Sequence, residues 1–162
     1  MKIFMLAACG AMLFVVGCAG LAPSSACPDL SGRYLSEGGE AADEFSTFLF
    51  GKSPSVASST LVRSTSDGLS LRRGSSRAAF RLAQDFSCGP GEIRLGRTQV
   101  SHVRLPPLID QTTTKFFVMK PASDAGILVE VYAQTTTAPY GVSLTGPKRL
   151  ETSFEWIRIA PR

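Results

Sequence analysis

Leu61-Val62-Arg63-Ser64-Thr65-Ser66-Asp67-Gly68-Leu69-Ser70-Leu71-Arg72-Arg73 is the stretch whose reading decides the fold. In its second half Leu69 and Leu71 alternate with Ser70 and Arg72. A period of two puts successive side chains on opposite faces of a strand. Asp-Gly between two such runs is a strong hairpin signal, because a type I′ turn needs positive φ at both central positions. The stretch predicts two antiparallel strands, Leu61 to Ser66 and Leu69 to Arg73, joined at Asp67-Gly68.

The same period continues downstream. Ala79 to Cys88 reads as one strand with Phe80, Leu82, Phe86 and Cys88 on one face and Arg81, Ala83 and Asp85 on the other. Gly89-Pro90-Gly91 turns the chain into Glu92 to Arg97, where Ile93 and Leu95 alternate with polar neighbours. Thr114 to Lys120 holds Phe116-Phe117-Val118-Met119, a continuous apolar run expected where both faces of a strand are covered. Ile127, Val129, Val131 and Ala133 alternate with Leu128, Glu130, Tyr132 and Gln134. Phe154 to Ala160 closes the chain as a strand. Two segments read as loops. Thr98 to Gln111 contains His102 and Pro106-Pro107. Thr135 to Lys148 contains Pro139, Gly141, Gly146 and Pro147, with one short strand at Val142 to Leu144. Gln-Thr-Thr-Thr at 111–114 and again at 134–137 is too short a match for a repeat architecture.

Upstream the period changes. Ala41, Phe45, Phe48 and Leu49 stand at helical spacing, with Glu40, Asp43 and Glu44 in the opening turns and Gly51 as the stop. Early acidic charge argues against docking on anionic headgroups and for packing against a sheet. Lys52 to Thr60 is a Ser/Pro-rich loop. The expected fold is mainly β: an antiparallel sheet curled or closed into a barrel-like domain of about seven strands with one short N-terminal helix. A split sandwich is the alternative.

Met1 to Cys18 says where the chain lives. Lys2 precedes an apolar run from Ile3 to Val16, shorter than the roughly twenty residues a helix needs to span a bilayer. Val15-Val16-Gly17-Cys18 resembles the lipobox of bacterial lipoproteins. The resemblance implies that residues 1–17 are a signal peptide cut after Gly17 and that the Cys18 sulfur receives a diacylglycerol. Leu6-Ala7-Ala8-Cys9 has similar residue types, but cutting there leaves an apolar core below the roughly seven to fifteen residues of a signal. An ordinary signal peptide or an uncleaved anchor is the competing reading. Residues 18–26 are small and aperiodic, a flexible tether. With Ala19 rather than Asp after the lipid cysteine, the resemblance implies the outer membrane, facing the periplasm.

The domain, 27–162, opens with Cys27-Pro28-Asp29-Leu30-Ser31-Gly32-Arg33-Tyr34. This octet resembles the opening of small bacterial envelope lipoproteins of unassigned function. Gly32-Arg33-Tyr34 is also similar to the Gly-x-Trp that starts lipocalin-type barrels, which implies an interior pocket. With Cys9 in the signal and Cys18 on lipid, Cys27 and Cys88 remain. An oxidising periplasm makes their pairing the default, closing a loop of about sixty residues worth roughly 4 kcal/mol. Two free thiols, or one reactive thiol, are the alternatives.

The chain carries 17 basic and 13 acidic side chains. Residues 18–162 lose only Lys2 from this set and keep a formal charge of +3, too mild to indicate nucleic acid. No catalytic, cofactor or metal site is legible. His102 is the single histidine and would need a serine with Asp110 or Asp124 to form a triad. Yet Gly141-Val142-Ser143-Leu144-Thr145-Gly146 has the wrong spacing for a nucleophile elbow, and no Ser-x-x-Lys occurs. Gly38-Gly39 lacks the Gly-Lys-Ser/Thr of a phosphate loop. One histidine with a paired cysteine set cannot hold a metal. Glu130 and Glu155, inside apolar strands, would serve as acid and base only if both faced a cavity. Arg72, Arg73, Arg77 and Arg81 are the densest basic run. They read as a solvated strand edge or as a contact for anionic lipid.

The expected function is a membrane-anchored envelope lipoprotein acting as a non-enzymatic binding or structural module. A lipocalin-like carrier of a small apolar ligand is the alternative. The expected partners are the membrane, through the acyl chains, and an envelope protein or anionic lipid.

Overall fold

The computed structural model describes residues 27–36, 39–51, 59–105 and 109–159, with backbone alone for 97–102, 105 and 109. Residues 1–26, which hold the expected signal peptide, Cys18 and the expected tether, lie outside the described residues, as do Pro106-Pro107 and most of the segment between Lys52 and Thr60.

The elements in chain order are β1 (Gly32–Ser36), α1 (Glu40–Phe50), β2 (Thr60–Ser64), β3 (Gly68–Arg73), β4 (Ser76–Arg81), β5 (Phe86–Gly89), β6 (Glu92–Leu105), β7 (Ile109–Pro121), β8 (Ile127–Pro139), β9 (Leu144–Thr145) and β10 (Arg149–Arg158). The strands form one antiparallel sheet in the order β4-β3-β2-β1-β10-β8-β7-β6-β5, with β9 added to β8. The mainly β, antiparallel reading with one short helix holds. Two details are corrected. Among the described residues the sheet has ten strands rather than about seven, and it is not closed: β4 and β5 stand at its two ends and do not pair, the isolated bridge Leu82↔Phe86 linking the residue after β4 to β5.

The connectivity nevertheless forces the sheet to curl. β4 and β5 are consecutive in the chain, separated by Leu82 to Asp85. A flat sheet would hold them roughly 38 Å apart at the usual strand spacing, and so short a link reaches at most roughly 17 Å. The concave side is filled by α1. The Phe45 ring lies 5.0 Å from Phe117, 5.8 Å from Phe154 and 5.4 Å from Trp156, while Phe48 lies 4.8 Å from Phe117 and 6.1 Å from Phe80. One helix thus touches β4, β7 and β10. Phe45, Val62, Met119, Ile127, Val129, Val131 and Trp156 are fully buried around it. Gly126 is a glycine because β10 passes close by: a Cβ there would stand 2.8 Å from the Trp156 carbonyl oxygen.

The hairpin that opened the reading is present, with the ladder running from Thr60↔Arg73 to Ser64↔Leu69. Its turn is not type I′. Gly68 has no positive φ and already belongs to β3. Instead the Thr65 N–H donates to the Gly68 carbonyl at 2.9 Å, and the Thr65 hydroxyl donates to the Asp67 carboxylate at 2.9 Å. A polar loop one residue longer satisfies itself without a left-handed pair.

The strand expected over Ala79 to Cys88 is two strands. Ala83 takes φ 66°, the Asp85 N–H donates to the Arg81 carbonyl at 2.9 Å, and the Asp85 carboxylate accepts the Arg81 N–H at 2.8 Å. A local carboxylate makes this turn in a run without Gly or Pro. The loop expected over Thr98 to Gln111 is mostly strand, with β6 pairing β7 from Thr98↔Lys115 to Leu105↔Ile109 across one irregularity between Gln99 and Ser101. β8 likewise continues to Pro139 and β9 covers Leu144–Thr145, so half of the second expected loop is strand as well. Threonine favours the pleated backbone, and beyond the core no apolar alternation announces it.

Candidate functional site

Inward-facing charge is compensated locally. Lys115 on β7 reaches Glu44 of α1 at 2.8 Å and Glu151 of β10 at 3.3 Å. Burial pulls its pKa down, but hydrogen bonds to the two carboxylates outweigh this and hold it above the usual lysine range. Arg73 points inward with the buried Leu69 and Leu71, whereas Arg72, Arg77 and Arg81 of the same basic run are exposed. Its Nε donates to the Thr60 hydroxyl at 2.7 Å and its Nη1 to the Ser46 hydroxyl at 2.8 Å. The guanidinium lies 5.3 Å from the Phe50 ring and 5.8 Å from Trp156. Cys27 and Cys88 are joined as a disulfide, their Cα atoms 5.1 Å apart.

The densest outward-facing cluster lies on β6, β7 and β8. Phe117 and Met119 are buried inside, so Phe116, Val118 and Lys120 turn outward by alternation. Register sets Arg94 beside Val118, Val118 beside Glu130, and Phe116 beside Tyr132. Lys120 Nζ donates to Glu130 Oε2 at 2.7 Å, and its distance to Glu92 Oε2 is 3.9 Å. The Tyr132 hydroxyl donates to the same Glu130 oxygen at 2.8 Å, and Glu92 pairs with Arg94. Lys148 Nζ sits 4.2 Å from the Phe116 ring centre. Glu92, Arg94, Phe116, Val118, Tyr132 and Lys148 border a recess of about 180 Å³.

These contacts set the ionisation of the cluster. The Lys120 hydrogen bond holds Glu130 below its ordinary value, against the opposing effect of burial. Lys120 is raised in return by its hydrogen bond to Glu130. The Glu130 hydrogen bond, then burial, keeps the Tyr132 phenol protonated to higher pH. An anion held this way is a poor base and its phenol partner a poor nucleophile. The arrangement offers an apolar strip framed by fixed charges, which suits recognition of a surface.

The chain matches no protein-family model, no curated protein and no solved structure.

The remaining expected residues are placed as follows. His102 stands on β6 opposite Thr112 instead of in a loop, and Asp124 sits beyond the far end of β7. Asp110 pairs with Arg104 at 3.4 Å. Glu130 and Glu155 both lie on the outer face, Glu155 opposite Leu128 and Ser153 opposite Glu130. Among the described residues no group of three His, Cys, Asp or Glu side chains is placed to hold a metal. Lys120, Tyr132 and Lys148 were not singled out in the sequence. Their only signal was the parity that sets Lys120 on the face of Phe116 and Val118.

Proposed function

We propose that this protein is a membrane-anchored envelope lipoprotein whose β-rich domain is a non-enzymatic binding module. In this reading residues 1–17 are a signal peptide, Cys18 carries the lipid, residues 18–26 tether the domain, and the outer membrane holds it facing the periplasm. The lipobox-like Val15-Val16-Gly17-Cys18 supports the anchor. The observation that carries the binding module is where the molecule spends its apolar and charged groups. The concave side that a carrier would leave open is packed with the rings of α1, β7 and β10. The recess beside Arg33 and Arg72 and the one beside Glu92 and Lys148 lie on the convex side. This weighs against the lipocalin-like alternative.

Intact mass of the protein taken gently from its own membranes tests both parts. The expected mass is that of residues 18–162 with acyl chains, two hydrogens lighter than the dithiol form. A signal-cleaved mass without lipid overturns the anchor. Extra mass that disappears on organic extraction overturns the packed-interior reading and restores the carrier.

A further inference from the structure

We infer that the convex face of β1–β4 is a docking surface for an anionic, phosphate-bearing lipid membrane, an inference that rests on the proposed anchor for its setting. These four strands contain six arginines and no acidic residue. Five of the six, Arg33, Arg63, Arg72, Arg77 and Arg81, are exposed. The register draws them into one array: Arg33 pairs with Leu61, Leu61 with Arg72, and Arg72 with Arg77, a single row across four strands. Arg63 and Arg81 share the face by alternation, since Val62, Leu69 and Leu71 between them are buried.

Among the described residues none of the five has a carboxylate within ion-pair distance. Arg33 and Arg72 also border a recess of about 290 Å³ with Ser59, Leu61 and Gly74, a concave spot of guanidinium and hydroxyl donors suited to a phosphate. Beside the array, Leu35 and Ile157 pair across β1 and β10 and are 37% and 49% exposed. Apolar side chains next to basic ones are what a lipid interface takes up.

Edge protection does not account for the array. β4 is an end strand, but β1, β2 and β3 have neighbours on both sides, so Arg33, Arg63 and Arg72 guard no edge. Nor does solubility require charge of one sign on one face, since mixed charge serves equally. The acidic groups of the described fold sit off these strands, on α1, on β6, β7, β8 and β10, and outside the elements at Asp29, Asp67, Asp85 and Asp124; Asp67 and Asp85 lie in the turns at the Arg81 end, away from the Arg33–Arg72–Arg77 row. A tether over residues 18–26 reaches at most about 30 Å, which would hold the face close to headgroups. Each basic side chain near an anionic leaflet strengthens association roughly fivefold.

Arginine footprinting with phenylglyoxal, read by mass spectrometry on the full lipidated protein, tests this. Vesicles of phosphatidylcholine are compared with vesicles that also contain phosphatidylglycerol. Arg33, Arg72 and Arg77 are expected to be modified several-fold more slowly with the anionic vesicles only, and high salt restores the rate. Arg94 and Arg104 on β6 are expected to react equally in both. The double variant Arg72→Glu/Arg77→Glu is expected to lose the protection at Arg33 while keeping that of a folded chain towards protease.

Equal modification in both vesicles overturns the docking face, and so does protection by inorganic phosphate alone, which reassigns the recess to a soluble anion. Flotation with phosphatidylcholine vesicles reports the anchor separately. Flotation without arginine protection leaves the anchor and removes the docking face. Protection by anionic vesicles without flotation on neutral ones does the reverse.

Discussion

Arg72 and Arg73 are neighbours in the chain and opposites in the fold. Arg73 is buried without a carboxylate partner, and burial pushes its pKa down. Two hydroxyl hydrogen bonds and two ring faces hold it, while its Nη2 and the buried Trp156 Nε1 have no hydrogen-bond partner among the described residues. Hydrogen bonds to a charged group are worth about 1.5–3 kcal/mol each, so Arg73→Ala is expected to cost roughly 2–4 kcal/mol after partial compensation. Arg72→Ala is expected to stay within about 0.5 kcal/mol. Urea unfolding of the two variants side by side checks the parity of β3.

At the same scale, the Lys120–Glu130 pair predicts a pH signature. The lowered folded pKa of Glu130 contributes stability above the unfolded carboxylate range, and that contribution is lost as pH falls through the folded value. The raised pKa of Lys120 contributes below the ordinary lysine range and is lost at high pH. Lys120→Met is therefore expected to be destabilised relative to the parent near neutral pH, with the gap closing as pH falls below the ordinary carboxylate range. A gap that is constant with pH would remove the ion pair as its cause.

At the scale of elements, α1 decides whether the sheet has something to curl around. Its face was readable from the spacing of Phe45, Phe48 and Leu49, and its C-terminal Gly51 adopts φ 71° as a stop residue should. Phe45 is fully buried against three rings from β7 and β10. Phe45→Ala is expected to destabilise by about 3–5 kcal/mol, and near-ultraviolet circular dichroism should lose the signal of ordered aromatics. Gly126→Ala tests the closest backbone approach. The added methyl meets the Glu155 carboxylate, which can swing away, and the Trp156 backbone carbonyl, which cannot, so a loss of about 1–3 kcal/mol is expected.

Across the whole molecule, the disulfide joins the segment before β1, near the middle of the strand order, to β5 at its end. It therefore fixes the curl that the open sheet does not fix by pairing β4 with β5. With the cysteines 61 positions apart in sequence, the chain-entropy model gives about 4 kcal/mol. Reduction, or Cys27→Ser with Cys88→Ser, is expected to remove roughly that amount in denaturant titrations. A far smaller loss would mean that α1 and the ring cluster alone hold the curl.

The chain by itself determined the class of the molecule. Alternation in Leu69 to Arg73 and in Ile127 to Ala133, and helical spacing in Ala41 to Leu49, reflect which side chains must leave water. Burial is a local constraint that repeats with the period of the element. The cysteine pair was legible from counting. Only the tertiary structure decided the strand order, the turn at Leu82 to Asp85, the length of the Thr-rich strands and the meeting of Lys120, Glu130 and Tyr132. These depend on register between segments far apart in sequence, and register is set by pairing partners that no single segment contains. The arginine array has the same origin. Arg33, Arg63, Arg72, Arg77 and Arg81 are scattered in the chain, and three ladders bring them to one face.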